Sequence, residues 1–386
     1  MTEKIYISAS AFDCPLGSEQ DNIADRLLDQ QVGHNVFHPD FRMPVFMVKN
    51  KPEFKFIYDV YLTMIRNVIH RCLTEAFPTH GIPSGLRVGC VFGTTGGGMF
   101  HDLDFYASLH NHTEPDFSHL EIFSQASLAE KIAEEFAWDG PVLTISNTCT
   151  SGADAASVGA LWIQCGLCDI AVVCGFDLIT EIPLSGFYVL GAASHKLCRP
   201  FDRDRDGMNV GEGVGCLILE SSRAALSHKT DPEFCLAGWG SAADAYHLTA
   251  PDPQGTGLRK AILQAVDMAC ITFDMIDFIL AHGTGTPAND LCEGNLLADL
   301  FGDKARYFSI NHLIGHTLGA SGIIKLIFAM LLMKKRMLPA SPGCIDPDPA
   351  LKIPPLNCPA GCEGRFALST SLAFGGCNTA LILERL

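Results

Sequence analysis

Three residues in this chain have the types and settings for nucleophilic chemistry. Cys149 lies in "TISNTCTSGADAA", where an apolar run ends and a train of tiny residues begins. A strand running into a helix there sets the thiol against unpaired N–H groups at the positive end of a helix dipole. Both favour thiolate, and the same N–H groups can hold an oxyanion. His282 in "ILAHGTGTPAND" and His316 in "SINHLIGHTLGASG" also sit where buried strands give way to small-residue turns. Taken alone, one cysteine among sixteen is a packed thiol, and a histidine at a strand end is a satisfied core residue. A cysteine at one strand end and histidines at two others match a nucleophile with imidazole partners, because α/β proteins collect active sites at strand C-termini. Thr284 and Thr286 suit hydrogen bonding to an amide-bearing ligand, or equally ordinary turn chemistry. Gly375 and Gly376 in "LAFGGCNTALIL" read as a hairpin turn able to bring a second N–H toward the cysteine. The dense charges of "PFDRDRDGMNVGEGVG" read as an internal salt-bridge network that fixes a loop, with no catalytic role.

The elements that must position these residues alternate in type. "KIYISASAF", "RVGCVFGTT", "PVLTISNT", "DIAVVCGFD" and "GVGCLILES" predict strands, several apolar throughout and so buried on both faces. "QASLAEKIAEEFAW" and "SGADAASVGALWIQCG" predict helices, the second small enough to lie against neighbouring backbone as a central helix. After about residue 221 the rhythm restarts with "EFCLAGWGSAAD", "GLRKAILQAVDMA", "IDFILAHGTGT", "NDLCEGNLLADLFG", "YFSIN" and "GASGIIKLIFAMLLMKK". "FALSTSLAFGGCNTALILER" closes the chain as a strand pair. Two βαβ-rich halves follow, residues 1–221 with the cysteine and 233–386 with both histidines, divided near "SSRAALSHKTDPE". Stretches near 100–120 and 338–365 lack periodicity and read as surface excursions.

Composition narrows the function classes. Of 386 residues, 48% are hydrophobic and 18% charged, enough for a sizeable interior. A net charge of −16 argues against a nucleic-acid surface. The first twenty residues contain no signal-peptide pattern, so the thiols are expected to be reduced and the protein cytoplasmic. "IIKLIFAMLLM" is too short to span a bilayer. No metal site is expected.

Six ordered segments, "NTCTSGADA", "RPFDRDRDGMNVGEGVG", "SAADAYHLTAPDP", "AHGTGTPAND", "GHTLGASG" and "AFGGCNTAL", resemble the β-ketoacyl-acyl carrier protein synthases of the elongating Cys-His-His type. The resemblance runs from the opening strand to the last residues. It implies an α/β thiolase-like fold, two halves packed as an α-β-α-β-α sandwich. By the same resemblance, Cys149 is the acyl-accepting nucleophile, and His282 and His316 promote malonyl decarboxylation. The N–H groups of Cys149 and Phe374 form the oxyanion hole, with Phe374 also the gate. Thr249, Thr284 and Thr286 match positions that hold the pantetheine arm. Substrates ride on the phosphopantetheine of acyl carrier protein, with no tightly bound cofactor. The chain pairs as a homodimer, or with a related ketosynthase or chain-length-factor subunit.

Three departures stand beside the resemblance. Asn311 occupies the family's lysine position and Lys325 its glutamate position, which implies that the Lys325 ammonium pairs with Glu293 or Asp290 instead. Gly96 in "FGTTGGGMF" stands where relatives carry a bulky residue lining the acyl pocket. That opening and the somewhat short chain point toward a specialised type II polyketide or aryl-polyene synthase more than the housekeeping enzyme of fatty acid synthesis. Lys49, Lys51 and Lys55 fall in the carrier-docking segment, or else mark a solvated helix start. Two rivals stay open: a non-catalytic chain-length-factor-like partner, and a degradative thiolase with Cys377 as its base.

Overall fold

The computed structural model describes residues 3–54, 57–78, 81–97, 103–114, 127–228 and 231–386. Among them, one large sheet contains β1 (Ile5–Asp13), β2 (Val88–Gly93), β3 (Val142–Ile145), β4 (Ile170–Asp177), β5 (Gly213–Glu220), β6 (Phe234–Ala243), β7 (Ile276–Leu280), β8 (Tyr307–Phe308), β9 (Phe366–Leu372) and β10 (Cys377–Arg385). Its helices are α1 (Gln20–Leu28), α2 (Ile57–Ala76), α3 (Leu103–His110), α4 (Ser127–Glu135), α5 (Ser151–Gln164), α6 (Glu181–Val189), α7 (Ser222–Ser227), α8 (Thr256–Ala269), α9 (Pro287–Phe301), α10 (Asn311–Ile314) and α11 (Ser321–Lys335).

The strand order is β8-β7-β9-β10-β6-β1-β5-β4-β2-β3. Cut between β6 and β1, each part has the same order and the same pairing. β2 lies parallel to β3 and β4, as β7 does to β8 and β9, and the remaining pairs are antiparallel. Within the sheet, among the described residues, the two parts join through Ile5–Leu236, Tyr6–Cys235 and Ile7–Phe234. The chain thus repeats one unit at a period too long, and too diverged, to register as a sequence repeat.

Strands β4 and β5 are buried at every residue, which is why "IAVVCGFD" and "GVGCLILE" show no polar alternation. The layer between the half-sheets is formed by α5 and α11, which touch each other and strands of both halves. Their crossing needs the absence of side chains. A Cβ on Gly152 would lie 2.4 Å from the Gly319 carbonyl oxygen, and one on Gly322 2.4 Å from the Ala153 nitrogen. Outside the half-sheets, α2 and α4 cover one outer face and α8 and α9 the other, each with its own apolar cluster. No described helix is long and apolar enough to cross a membrane. All sixteen cysteines are free thiols. The stretch from 338 to 365 is largely irregular apart from a short ribbon of Met337–Leu338 with Ala360–Gly361.

Helix α2 has no counterpart in the sequence reading. Its buried Tyr61, Ile65, Val68, Cys72 and Ala76 recur at helical spacing and carry the signal that would have found it.

Candidate active site

Each half delivers its reactive residue from the turn that opens its central helix. After β3 the chain makes a 3-10 turn, Thr148–Thr150, and enters α5 at Ser151. Thr148 sits in the left-handed region at φ 49°, which aims Cys149 inward. Asp154, one turn into α5, accepts from Asn147 Nδ2 at 2.7 Å, from Thr150 Oγ1 at 2.8 Å and from Thr379 Oγ1 on β10, tying the turn to the other half. The second half repeats the device: Leu318 at φ 51° precedes Gly319 in the 3-10 turn that opens α11, with His316 just before it. Asp177, at the end of β4, pins the turn that follows β2 to the turn that opens α11. It accepts from Thr94 Oγ1 and Thr95 N at 2.8 Å and from Gly319 N at 2.6 Å.

Cys149, His282 and His316 line one cavity of about 260 Å³. The backbone N–H groups of Cys149 and Phe374 both act on the Cys149 thiol in the sense that favours its ionised form. The thiolate expected from the helix start is not the resting form. Burial pushes the thiol up to about 12, and the Asp177 charge adds to this, outweighing the Lys325 charge and the two N–H groups.

The imidazoles stand edge to face, centroids 4.9 Å apart. Burial holds His282 well below its ordinary range and draws His316 down to about 3, so both are neutral at physiological pH. His282 Nδ1 and both ring nitrogens of His316 are buried without a hydrogen-bond partner among the described residues. Buried polar atoms are ordinarily paired, so three bare ring nitrogens around one cavity are groups prepared for a ligand.

The His282 turn is gripped from both sides. Glu293 on α9 accepts from the His282 N–H at 2.9 Å, the Gly283 N–H at 2.8 Å and Thr370 Oγ1 at 2.6 Å. Asn311 donates through Nδ2 to the carbonyls of His282 at 2.8 Å and Gly283 at 3.0 Å. Asp290 holds the next bend, accepting from the N–H groups of Phe201 at 2.7 Å and Gly285 at 3.2 Å.

Lys325 does not pair with Glu293 or Asp290. Its ammonium, buried on α11, donates to the Thr370 carbonyl and to Ser371 Oγ at 3.1 Å on β9. Glu293 is saturated by backbone N–H groups and Thr370, so the charges act on one another through space, with Thr370 between them. Burial draws Lys325 down to about 8 against the pull of Glu293 and Cys149.

Thr284 and Thr286 line the cavity, their hydroxyls 2.9 Å apart, and exposed Thr249 stands at its edge. Phe374 lines it too, its ring 5.7 Å from that of Phe187. Gly96 is buried but is not among the lining residues. Lys51 is not a free docking cation: it pairs at 2.9 Å with Glu212, a fully buried carboxylate that requires a counter-charge. Lys49 is exposed, and Lys55 lies outside the described residues. Cys377 begins β10, half-buried against the Asn147 side chain and outside the cavity lining, which leaves the thiolase reading without its second cysteine. The charged segment before β5 is the expected loop clasp, with Arg205 on Asp348 at 2.6 Å and Arg199 on Asp202 at 3.0 Å. The sequence reading passed over Asp154, Asp177, Asp244 and Asn378. The last two line the cavity and bond at 2.8 Å, and Asp244 falls within "SAADAYHLTAPDP". It also passed over one Cys-x-x-Cys pair, Cys165 and Cys168, the first exposed and the second buried. Among the described residues no group of three or more His, Cys, Asp or Glu is placed to hold a metal ion.

Residues 64–225 match the β-ketoacyl synthase N-terminal domain and residues 234–344 the C-terminal domain. A 3-oxoacyl-[acyl-carrier-protein] synthase 2 of Staphylococcus aureus is 33% identical over 257 residues, 64% of this chain and 62% of that protein. The chain thus spans less than two thirds of the first curated relatives it matches. A protein of Streptomyces halstedii named as a polyketide β-ketoacyl synthase is 32% identical over 316 residues, 77% of this chain and 75% of that protein. Among solved structures, the ketosynthase ApeO in complex with its chain length factor ApeC, from Xenorhabdus doucetiae, matches with a TM-score of 0.86 at 30% identity. The match covers 100% of this chain and 98% of that one. The expected α/β thiolase-like class is borne out by this likeness and by the large mixed sheet.

Proposed function

Since this chain belongs to the β-ketoacyl synthase family, we propose that it joins an acyl group carried on Cys149 to a malonyl group carried on acyl carrier protein, with loss of CO2. The observation that carries the reading is the meeting in one cavity of a cysteine, whose ionised form two backbone N–H groups favour, and two neutral, unpartnered imidazoles.

The steps follow from those groups. Cys149 attacks the thioester carbonyl of the incoming acyl group, and the carbonyl oxygen takes up charge against the N–H groups of Cys149 and Phe374. The thiol proton leaves with the phosphopantetheine sulfur. A malonyl thioester then enters past Thr249, Thr284 and Thr286. Neutral imidazoles can donate N–H to its carbonyl oxygen, so that CO2 departs and leaves an enolate they stabilise. The enolate carbon attacks the acyl-cysteine carbonyl, and the thiolate is released. No tightly bound cofactor enters this scheme.

The proposed partners are acyl carrier protein and a second subunit, either another copy or a related one. The proposed setting is the cytoplasm. The proposed role is in type II polyketide or aryl-polyene synthesis; a Streptomyces relative named as a polyketide synthase and a ketosynthase that pairs with a chain length factor support the polyketide side of it. A non-catalytic partner subunit is disfavoured, since it has no use for a thiol under two N–H groups.

Intact mass after incubation with an acyl-carrier protein tests the reading. An adduct on Cys149 that is absent in Cys149→Ala, with CO2 released from malonyl-carrier protein, supports it. An unmodified wild-type chain that co-purifies with a ketosynthase would overturn it in favour of the partner subunit.

A further inference from the structure

Residue 148 joins the nucleophile turn to the loop that supplies the second oxyanion donor. Thr148 Oγ1 donates to the Phe374 carbonyl at 3.0 Å, and the Phe374 N–H lowers the cost of ionising the Cys149 thiol. Residue 374 is therefore held at its carbonyl by the residue before the nucleophile, while its N–H acts on the thiol. Two glycines follow it in the loop. Gly375 and Gly376 have φ of 90° and 80°, and a Cβ on Gly375 would meet nothing within 4 Å. The loop's other ties fall on either side of residue 374: the Gly375 N–H to the Leu248 carbonyl at 2.7 Å, the Asp244 N–H and Asn378 Nδ2 to the Gly376 carbonyl at 2.7 and 3.0 Å, the Gly376 N–H to the Ala373 carbonyl at 3.0 Å, the Ala373 N–H to the Cys377 carbonyl at 2.8 Å, and the Phe187 ring beside that of Phe374.

The backbone strain at Thr148 is not itself the clue. Leu318 occupies the matching position of the other half at nearly the same φ, so the left-handed turn belongs to the repeated fold. Leu318 is apolar and fully buried, whereas Thr148 is half-buried and carries a hydroxyl directed at the Phe374 loop. The hydroxyl is what the nucleophile side adds.

We propose that the Thr148 hydroxyl is a latch that positions the Phe374 N–H over Cys149, making Thr148 a positioning residue for acyl transfer. This deepens the synthase reading above and rests on it. With the latch closed, the donor stands where the tetrahedral oxyanion forms. Without it, residue 374 is free to swing on its two glycines, and acyl transfer loses an aligned donor. Malonyl decarboxylation draws on the imidazoles and does not depend on that N–H.

The test is single-turnover acylation of Cys149 by an acyl-carrier protein, followed by intact mass, beside CO2 release from malonyl-carrier protein without an acyl donor. Thr148→Val keeps the β-branched shape and removes the donor. We expect acylation to fall about tenfold or more, decarboxylation to stay within about twofold and the melting temperature to hold. Thr148→Ser restores most of the lost rate. If Thr148→Val folds poorly, Thr148→Ala against Thr148→Ser makes the same comparison. Wild-type acylation rates in Val or Ala, equal losses in Ser and Val, or a parallel fall of both reactions would overturn the latch. A wild-type chain that never acylates defeats the synthase reading instead, so the two failures are distinguishable.

Discussion

Lys325→Met takes an ammonium out of the buried centre of the site, and the cost of holding it there follows from its titration. Burial brings the group from 10.5 to about 8, a value that already includes the favourable pull of Glu293 and Cys149. Burying it protonated instead of as a neutral side chain therefore costs folding roughly 3 kcal/mol at pH 7. Leaving the Thr370 carbonyl and Ser371 hydroxyl without a donor returns about 1 kcal/mol of that. The variant should be more stable than wild type by about 2 kcal/mol at pH 7. The sign with pH is set by the depressed folded value: between about 8 and 10.5 the unfolded chain binds more protons, so wild-type stability rises through that window. The advantage of the variant should shrink below about 1 kcal/mol by pH 9.5. Urea denaturation followed by circular dichroism, at matched protein concentration and at pH 7 and 9.5, reads both quantities. The same substitution removes a charge that favours the Cys149 thiolate, so iodoacetamide should alkylate Cys149 more slowly in the variant at pH 8. A variant less stable than wild type at pH 7, or an equal gap at both pH values, would refute the reasoning.

Decarboxylation of malonyl-carrier protein should be flat from pH 8 to pH 6, because burial keeps both imidazoles neutral throughout. A fall centred near 6.5, the value of an unperturbed histidine, would count against it. Gly152→Ala should destabilise the chain by roughly 1–3 kcal/mol in denaturant titration, since its Cβ would meet the Gly319 carbonyl oxygen at 2.4 Å. An unchanged midpoint would show that the α5–α11 contact yields freely. Asn311→Asp should depress the condensation rate more than Asn311→Ala, because a carboxylate would face the two carbonyls that the amide now satisfies. Equal losses in steady-state turnover would contradict that ordering.

The strands and the reactive trio were legible because each is written locally. Unbroken apolar runs give β4 and β5, and a reactive residue beside a Gly- or Thr-rich turn gives Cys149 and His282. What was not legible depends on distance in sequence. Asp177 and Gly319 are 142 residues apart, and Thr370 and Glu293 77. Nothing near Asp177 announces that it will fasten two turns. The Lys325 expectation erred for the same reason: Glu293 looked free along the chain, but two backbone N–H groups and Thr370 had already filled it. Lys51 erred through burial, since a lysine in a basic stretch gives no sign that its counter-charge, Glu212, lies 161 residues away. The thiol's titration was misjudged because the helix start is visible in sequence and the depth of burial is not.

The repeated unit gives the sulfur to one copy and both rings to the other, so the reactive assembly exists only where the copies touch. Its accuracy is then an alignment between two bodies more than a property of either. The bare-backbone crossing at Gly152 and Gly322 acts as the bearing on which that alignment turns. Substitutions along this crossing, though they never meet a substrate, should shift the sulfur and the rings relative to each other and change turnover before they change the fold.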